Sequence, residues 1–323
     1  MNFNLLQTFT FIFQRFLPLW ILAFAGLGFL APNLFAPFAH FPPFALGFIF
    51  FLMGMTISFA SFVEVFKRPK VLLIGMGLKW LLTVIVSVAL AFIFFKDERK
   101  LAAGVILAGV VPSGTSANVY TLLADGTVAL SLTLASIDTF IAPFMTPFLM
   151  ELFAGQFIPI TFLDLFLNII YIVFIPIACG MLIQLFLAKQ IQKVRPVFSL
   201  LSIFSLFVIV LGVVVGAYES VLSFTSVIPL LLVVVFIQVA FPMAASYFIA
   251  KWFGAPEASC RAILFHVGIC NTALSATLAL SYIDPLAAVP SVLNMITNLS
   301  LGAAVANWFA KKPINKNDIG ANA

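Results

Sequence analysis

The 323-residue chain is 63% apolar and only 8% charged, contains 39 Phe and has a mean hydropathy of +1.21. Soluble globular domains carry about 25% charged and 45–50% apolar residues, so a water-solvated fold is excluded. The apolar segments are continuous and do not alternate, which excludes a β-barrel. At about 20 residues per spanning helix, about ten spans use up the chain and leave no soluble catalytic domain.

Breaks at charges, Pro and Gly predict apolar helices over 16–31, 42–61, 71–95, 101–124, 127–153, 161–187, 197–218, 226–250, 260–282 and 286–310. The first could mimic a signal peptide cleaved at Ala23-Phe24-Ala25, but the same apolar character continues along the chain, and retention as a first span is simpler. Lys and Arg gather in alternate loops. Arg15; Lys67, Arg68 and Lys70; Lys189, Lys193 and Arg195; Lys251 and Arg261; and Lys311, Lys312 and Lys316 put 12 of the 16 basic residues on one side. Lys96, Arg99 and Lys100 lie on the other, and Lys79 falls inside a span. The positive-inside rule then makes both termini cytoplasmic.

Spans one to five and six to ten, each an odd number, must run in opposite directions. Residues 1–155 and 156–312 are therefore expected to be inverted five-helix repeats, followed by a polar, disordered tail over 313–323. The fourth span carries Pro112-Ser113-Gly114-Thr115-Ser116-Ala117-Asn118 and the ninth Gly268-Ile269-Cys270-Asn271-Thr272, two polar interruptions in equivalent helices. One such segment suits close helix packing. Two at corresponding positions suit the broken helices of secondary transporters, whose freed backbone groups bind substrate and ions near the midplane. Pro112 lies 11 residues into its span, about 16 Å deep in a core of about 30 Å.

The run Gly104 to Gly109 through Pro112 to Val119, followed by Leu123-Ala124-Asp125-Gly126-Thr127-Val128-Ala129-Leu130-Ser131, resembles the bile acid:sodium symporter family. His266-Val267-Gly268-Ile269-Cys270-Asn271-Thr272-Ala273-Leu274 resembles its second crossing motif. The resemblance implies a bacterial inner-membrane member of that family, related to the apical sodium-dependent bile acid transporter. The fold it implies is an all-α polytopic membrane protein of ten transmembrane helices, with a panel domain of spans 1, 2, 6 and 7. A core domain of spans 3–5 and 8–10 would hold the crossing of broken helices 4 and 9. It implies alternating-access uptake of an organic anion, normally driven by two sodium ions.

Departures from the family fall on its sodium positions. Ala117 lacks a ligating hydroxyl, and Ala135 stands where the family has Thr. His266 replaces the Glu that serves both ions, Cys270 replaces Gln, and Lys79 stands at the third-span Gln. Only Asn118 and Ser131 are retained. Sodium requires hard oxygen ligands. An ammonium about 4 Å away would repel it by several kcal/mol at an effective dielectric of about 20. Neither sodium site is therefore expected to function, with Lys79, and His266 when protonated, supplying built-in positive charge.

Lys79, eight residues into its span, sits about 12 Å deep and needs a partner. Asp138, the clearly intramembrane carboxylate, is one candidate, and histidine ordinarily titrates near neutral pH. The set Lys79, Asp138 and His266 reads either as a static buried salt bridge beside a neutral His or as a charge or proton relay. Thr115, Ser116, Asn271, Thr297 and Asn298 are the candidate substrate-binding residues, although polar residues of span ten, Asn294 included, equally suit interhelical contact. Asn118 and Ser131 more plainly brace the crossover. His40, Glu151, Glu219 and Asp284 are expected at interfaces or in solvent.

No Gly-x-Ser-x-Gly, His-Glu-x-x-His or paired-aspartate motif is present, so an intramembrane enzyme is not expected. The expected protein is a monomeric secondary or facilitative transporter of a small organic anion, bile-acid-like, pantoate-like or another carboxylate. It sits in the lipid bilayer, takes no cofactor or metal, binds no nucleic acid and does not use the family's sodium sites. The alternatives are proton-coupled symport and exchange resembling a sodium/proton antiporter.

Overall fold

A computed structural model describes residues 10, 13–14, 16–56, 69–312 and 314. Arg15, Lys67, Arg68, Lys316, the end of the second predicted span and nearly all of the tail lie outside the described residues, as do the side chains of Lys193 and Arg195. Among the described residues all regular structure is helical, apart from one isolated antiparallel bridge.

Proline sets several helix starts, its missing N–H falling where no intrahelical partner exists. Helix α1 (Leu17–Leu30) bends by 105° into the turn Pro32–His40, and α2 (Pro42–Gly54) follows a Pro pair. Then come α3 (Pro69–Phe94), α4 (Arg99–Gly109), α5 (Ser116–Leu123), α6 (Val128–Ala154), α7 (Phe162–Gln192) and α8 (Val197–Gly216). The chain continues with α9 (Thr225–Trp252), α10 (Glu257–Gly268), α11 (Thr272–Ile283) and α12 (Pro285–Ala310). Six of these, α3, α6, α7, α8, α9 and α12, are long and apolar enough to cross a membrane, or seven with the bent first pair. Helices α4 and α5, and likewise α10 and α11, flank the two polar interruptions.

The loop expected over 188–196 is helical instead: the chain runs helically from Ile175 to Gly216, with a kink at Leu187. Lys and Gln at 189–193 are good helix formers, so a basic interfacial segment need not uncoil. A π-helical turn, Lys79–Thr83, also interrupts α3 where the charge sits; such one-turn bulges often mark functional sites.

Helices α7 and α8 pack on α2 and α1, while α4 packs between α3 and α12, and α9 against α10 and α12. The α2–α7 contact depends on small residues: a Cβ on Gly54 would strike the Ile177 backbone, and one on Gly180 the Phe51 backbone. Phe44, Phe186, Phe248 and Trp252 remain well exposed on the outer surface, as lipid-facing side chains do.

Candidate functional site

Pro112 has no N–H, and the backbone from Val110 to Thr115 leaves the helix. Its polar groups are satisfied by the other interruption. Gly114 N donates to Ile269 O at 2.7 Å and Asn271 N to Pro112 O at 2.7 Å, pairing Ser113 with Cys270 in antiparallel sense. Side chains complete the set: Ser113 Oγ donates to Ile269 O, Thr146 Oγ1 to Val110 O and Asn298 Nδ2 to Cys270 O. Away from water every backbone group needs such a partner, so each broken helix supports the other.

Two fully buried charges hold this junction from opposite sides. Asp138 Oδ2, from α6, accepts Ser113 N at 2.6 Å, and Lys79 Nζ, from the π turn of α3, donates to Cys270 Sγ at 3.0 Å. The direct Lys79–Asp138 ion pair offered from sequence is not formed. The carboxylate is taken by the amide that the break leaves without an intrahelical partner, and the ammonium reaches the other break. Lys79 nevertheless remains within electrostatic range of both Asp138 and His266. His266, also fully buried, places Nε2 at 3.9 Å from Asp138 Oδ2, and neither ring nitrogen has a hydrogen-bond partner. The Trp80 indole lies beside the carboxylate, outside hydrogen-bond geometry. Lys79, Asp138, His266 and Cys270 are thus gathered around one junction.

Asn118 and Ser131, the two sodium positions that the resemblance implied to be retained, bond to each other. Ser131 Oγ donates to Asn118 Oδ1 at 2.7 Å, Thr121 Oγ1 donates to Ser131 Oγ at 3.2 Å, and Ala117 and Ala135 are buried methyls.

In front of the junction lies a cavity of about 620 Å³. Thr115, Ser116, Asn271 and Asn298 line it, with Ser113 and Cys270 at the back; Leu46, Phe50 and Leu206 form an apolar wall from α2 and α8. None of its lining side chains among the described residues is charged. Thr297, by contrast, turns its hydroxyl back onto Leu293 O of its own helix and does not line the cavity. Asn271 is partly committed, since its Oδ1 accepts Leu274 N as the cap of α11.

Three features escaped the sequence reading. Buried Gln238 donates to Ser87 Oγ at 2.8 Å and Val105 O at 2.7 Å and accepts Asn294 Nδ2 at 2.9 Å, tying α9 to α3, α4 and α12. A lone Gln in the Val- and Ile-rich eighth span was the available signal. Arg261, expected in a basic loop, is buried; it donates to Ala124 O, Lys312 O and Glu257, and its guanidinium lies over the Phe309 ring. Burial tends to raise the Glu257 carboxyl, but hydrogen bonds from Arg261 and Tyr247 and the charges of Lys251 and Arg261 hold it below the usual carboxylate range. Asp284, expected in solvent, instead pairs with Lys100 at 2.6 Å and caps α12; a helix start accepts a carboxylate there.

Apolar spanning helices with two broken helices joined across a polar cavity define a membrane transport protein. Residues 43–224 match the model of the Sodium Bile acid symporter family. The chain is 33% identical over 305 residues to an "Uncharacterized sodium-dependent transporter YocS" of Bacillus subtilis (strain 168), covering 94% of each. It is 30% identical over 314 residues, 93% of this chain and 75% of the relative, to "Probable sodium/metabolite cotransporter BASS6, chloroplastic" of Arabidopsis thaliana. The rice relative named "Probable sodium/metabolite cotransporter BASS2, chloroplastic" is 28% identical over 274 residues, 84% of this chain and 64% of that protein. The chain belongs to the sodium bile acid symporter family, whose members are transporters and not enzymes.

Proposed function

We propose that this protein carries a small organic anion across a bacterial inner membrane by alternating access, and that the family's sodium sites are replaced in it by built-in charge. Ten spans with cytoplasmic termini form two inverted repeats, residues 1–155 and 156–312. Spans 1, 2, 6 and 7 make a panel that moves as a monomer's mobile wall against a core of spans 3–5 and 8–10. The packing of α7 and α8 on α1 and α2, and of α3, α4, α9, α10 and α12 among themselves, supports that division.

The observation that carries the loss of sodium sites is Lys79 Nζ donating to Cys270 Sγ at the crossover. Two family amide positions have become an ammonium and a thiol in contact, His266 stands for the carboxylate, and Asn118 and Ser131 satisfy each other. Sodium's hard-oxygen shell is thereby depleted and a fixed cation sits beside it. The relatives carry sodium in their printed names, and it is from that dependence that this chain departs. Thr115, Ser116, Asn271 and Asn298 receive the anion's polar end, and the apolar wall of α2 and α8 receives the remainder. Among carboxylates, bile-acid-like and pantoate-like compounds fit this division.

The test is uptake of labelled cholate and pantoate into proteoliposomes with sodium replaced by potassium. Uptake of either anion that persists in potassium is expected; transport that stops without sodium overturns the lost-site reading.

A further inference from the structure

The groups holding the crossover have more protonation capacity than a static clamp requires. We infer that Asp138 and His266 form a proton-binding site behind the cavity, the proton taking the coupling place that sodium holds in the relatives; this rests on the transporter reading above.

Three observations converge on it. First, Asp138 and His266 come from different helices, α6 and α10, and meet at 3.9 Å through Oδ2 and Nε2, with no exposure of either side chain. Asp138 Oδ1 and both His266 nitrogens have no hydrogen-bond partner. Buried polar atoms are rarely left unpaired, and here three of them lie on two titratable groups that face each other. With the imidazole hydrogen on Nδ1, Nε2 and Oδ2 are two acceptors facing each other at 3.9 Å, and one proton on either turns them into a donor facing an acceptor.

Second, the charge balance has room for one proton and for one anion. Lys79 from α3 and Asp138 from α6 offset each other while His266 is neutral, and no other charged side chain among the described residues acts on the pair. The other titratable groups on the helices packed around the pair are engaged or exposed elsewhere: Lys70 of α3 and Glu151 of α6 are exposed, and Tyr247 and Lys251 of α9 bind Glu257. Tyr120 of α5 donates to Leu299 O, Asp164 of α7 accepts from Thr161, Tyr171 of α7 is exposed, and Glu257, Cys260 and Arg261 lie at the far end of α10. Cys270 is already the acceptor of Lys79. Among the described residues the cavity wall offers no charged side chain of its own, so a bound monoanion would leave one uncompensated charge in a low-dielectric space. One proton on the pair cancels it.

Third, the pair is mechanically tied to the cavity. Asp138 Oδ2 holds Ser113 N, Ser113 faces Cys270 across the bridge, and both residues line the cavity, as do Ala135, one turn before Asp138, and Thr139, next to it in the chain. The proton arrives from water as H⁺, forms one O–H bond at Asp138 or one N–H bond at His266, and leaves as H⁺. No other bond changes, and the only charge moved is that of the proton. Protonation of Oδ2 weakens its acceptance of Ser113 N, so proton occupancy is read by the backbone that carries Thr115 and Ser116 into the cavity.

The experiment is solid-supported-membrane electrophysiology on proteoliposomes of the full chain in potassium buffer without sodium. An acidifying jump should displace charge in the wild type and a sodium jump should not; Asp138→Asn and His266→Gln should bring the acid response down to that of protein-free liposomes. A wild-type response to sodium and none to acid overturns the proposal, and so does an acid response that both variants leave unchanged. Should the variants fail to reconstitute, the two wild-type jumps still decide. Cholate and pantoate uptake scored in parallel separates the two readings. Uptake without acid-evoked charge overturns the proton site alone, whereas acid-evoked charge without uptake supports the proton site and overturns the organic-anion reading.

Discussion

Removing both buried charges at the crossover should destabilise the protein by less than the sum of removing each alone. Asp138 is the buried carboxylate that compensates the Lys79 ammonium, from beyond the 4.0 Å ion-pair distance. At an effective dielectric of about 20 their attraction is then at most about 4 kcal/mol. Asp138→Asn keeps an acceptor for Ser113 N and deletes only the charge, leaving Lys79 uncompensated; Lys79→Met leaves Asp138 likewise. Stranding one partner of a buried pair leaves an uncompensated charge, and removing the second partner gives back the attraction already lost with the first. The double variant should therefore be more stable than the sum of the singles by about 2–4 kcal/mol. Reversible unfolding of all four proteins in mixed micelles, followed by tryptophan fluorescence, measures that coupling. Single effects that add to within about 0.5 kcal/mol would refute the electrostatic link.

Gln238→Leu strands Asn294 Nδ2, Ser87 Oγ and Val105 O at once, and should lower stability in the same assay by about 1–3 kcal/mol; a variant as stable as wild type would show that water or neighbours replace the amide. Glu257 is held below its ordinary range when folded, so its contribution is fully present above the unfolded carboxylate value and is lost as pH falls through the folded one. The side chain is 24% exposed, which keeps the effect under about 1 kcal/mol. Glu257→Gln should flatten that acid limb of the stability profile, measured as unfolding midpoints across acidic pH.

The two interruptions were legible because Pro112, Gly114 and Gly268 stand inside otherwise apolar runs with Ser, Thr and Asn beside them, and because two such strings fall at corresponding positions, which close packing alone does not require. Their pairing was expected only through family resemblance, since backbone hydrogen bonds between residues so distant in sequence leave no local pattern. The ion pair offered for Lys79 went astray for an instructive reason. Ranking partners by charge picks Asp138, yet the break creates an unpaired amide at Ser113 that competes for the carboxylate, and a thiol is overlooked as an ammonium acceptor. Arg261 was read as a loop cation because its neighbours in sequence are polar; its burial follows from Ala124 and Lys312, which only the fold brings near. The helical 188–196 segment shows the same limit from the other side: Lys and Gln mark a membrane interface and favour helix equally.

The bridge between the interruptions also dictates an order of events during synthesis. Gly114 N finds its acceptor at Ile269, and Pro112 O its donor at Asn271. Until the segment around Ile269 and Asn271 is translated and inserted, these groups have no intended partner in a bilayer that supplies none. A ribosome that has completed only the first half has therefore made a membrane intermediate with an open seam. A truncated chain ending before Ile269 should be a ready substrate for membrane quality-control proteases, and co-expressed halves should rescue one another by closing it.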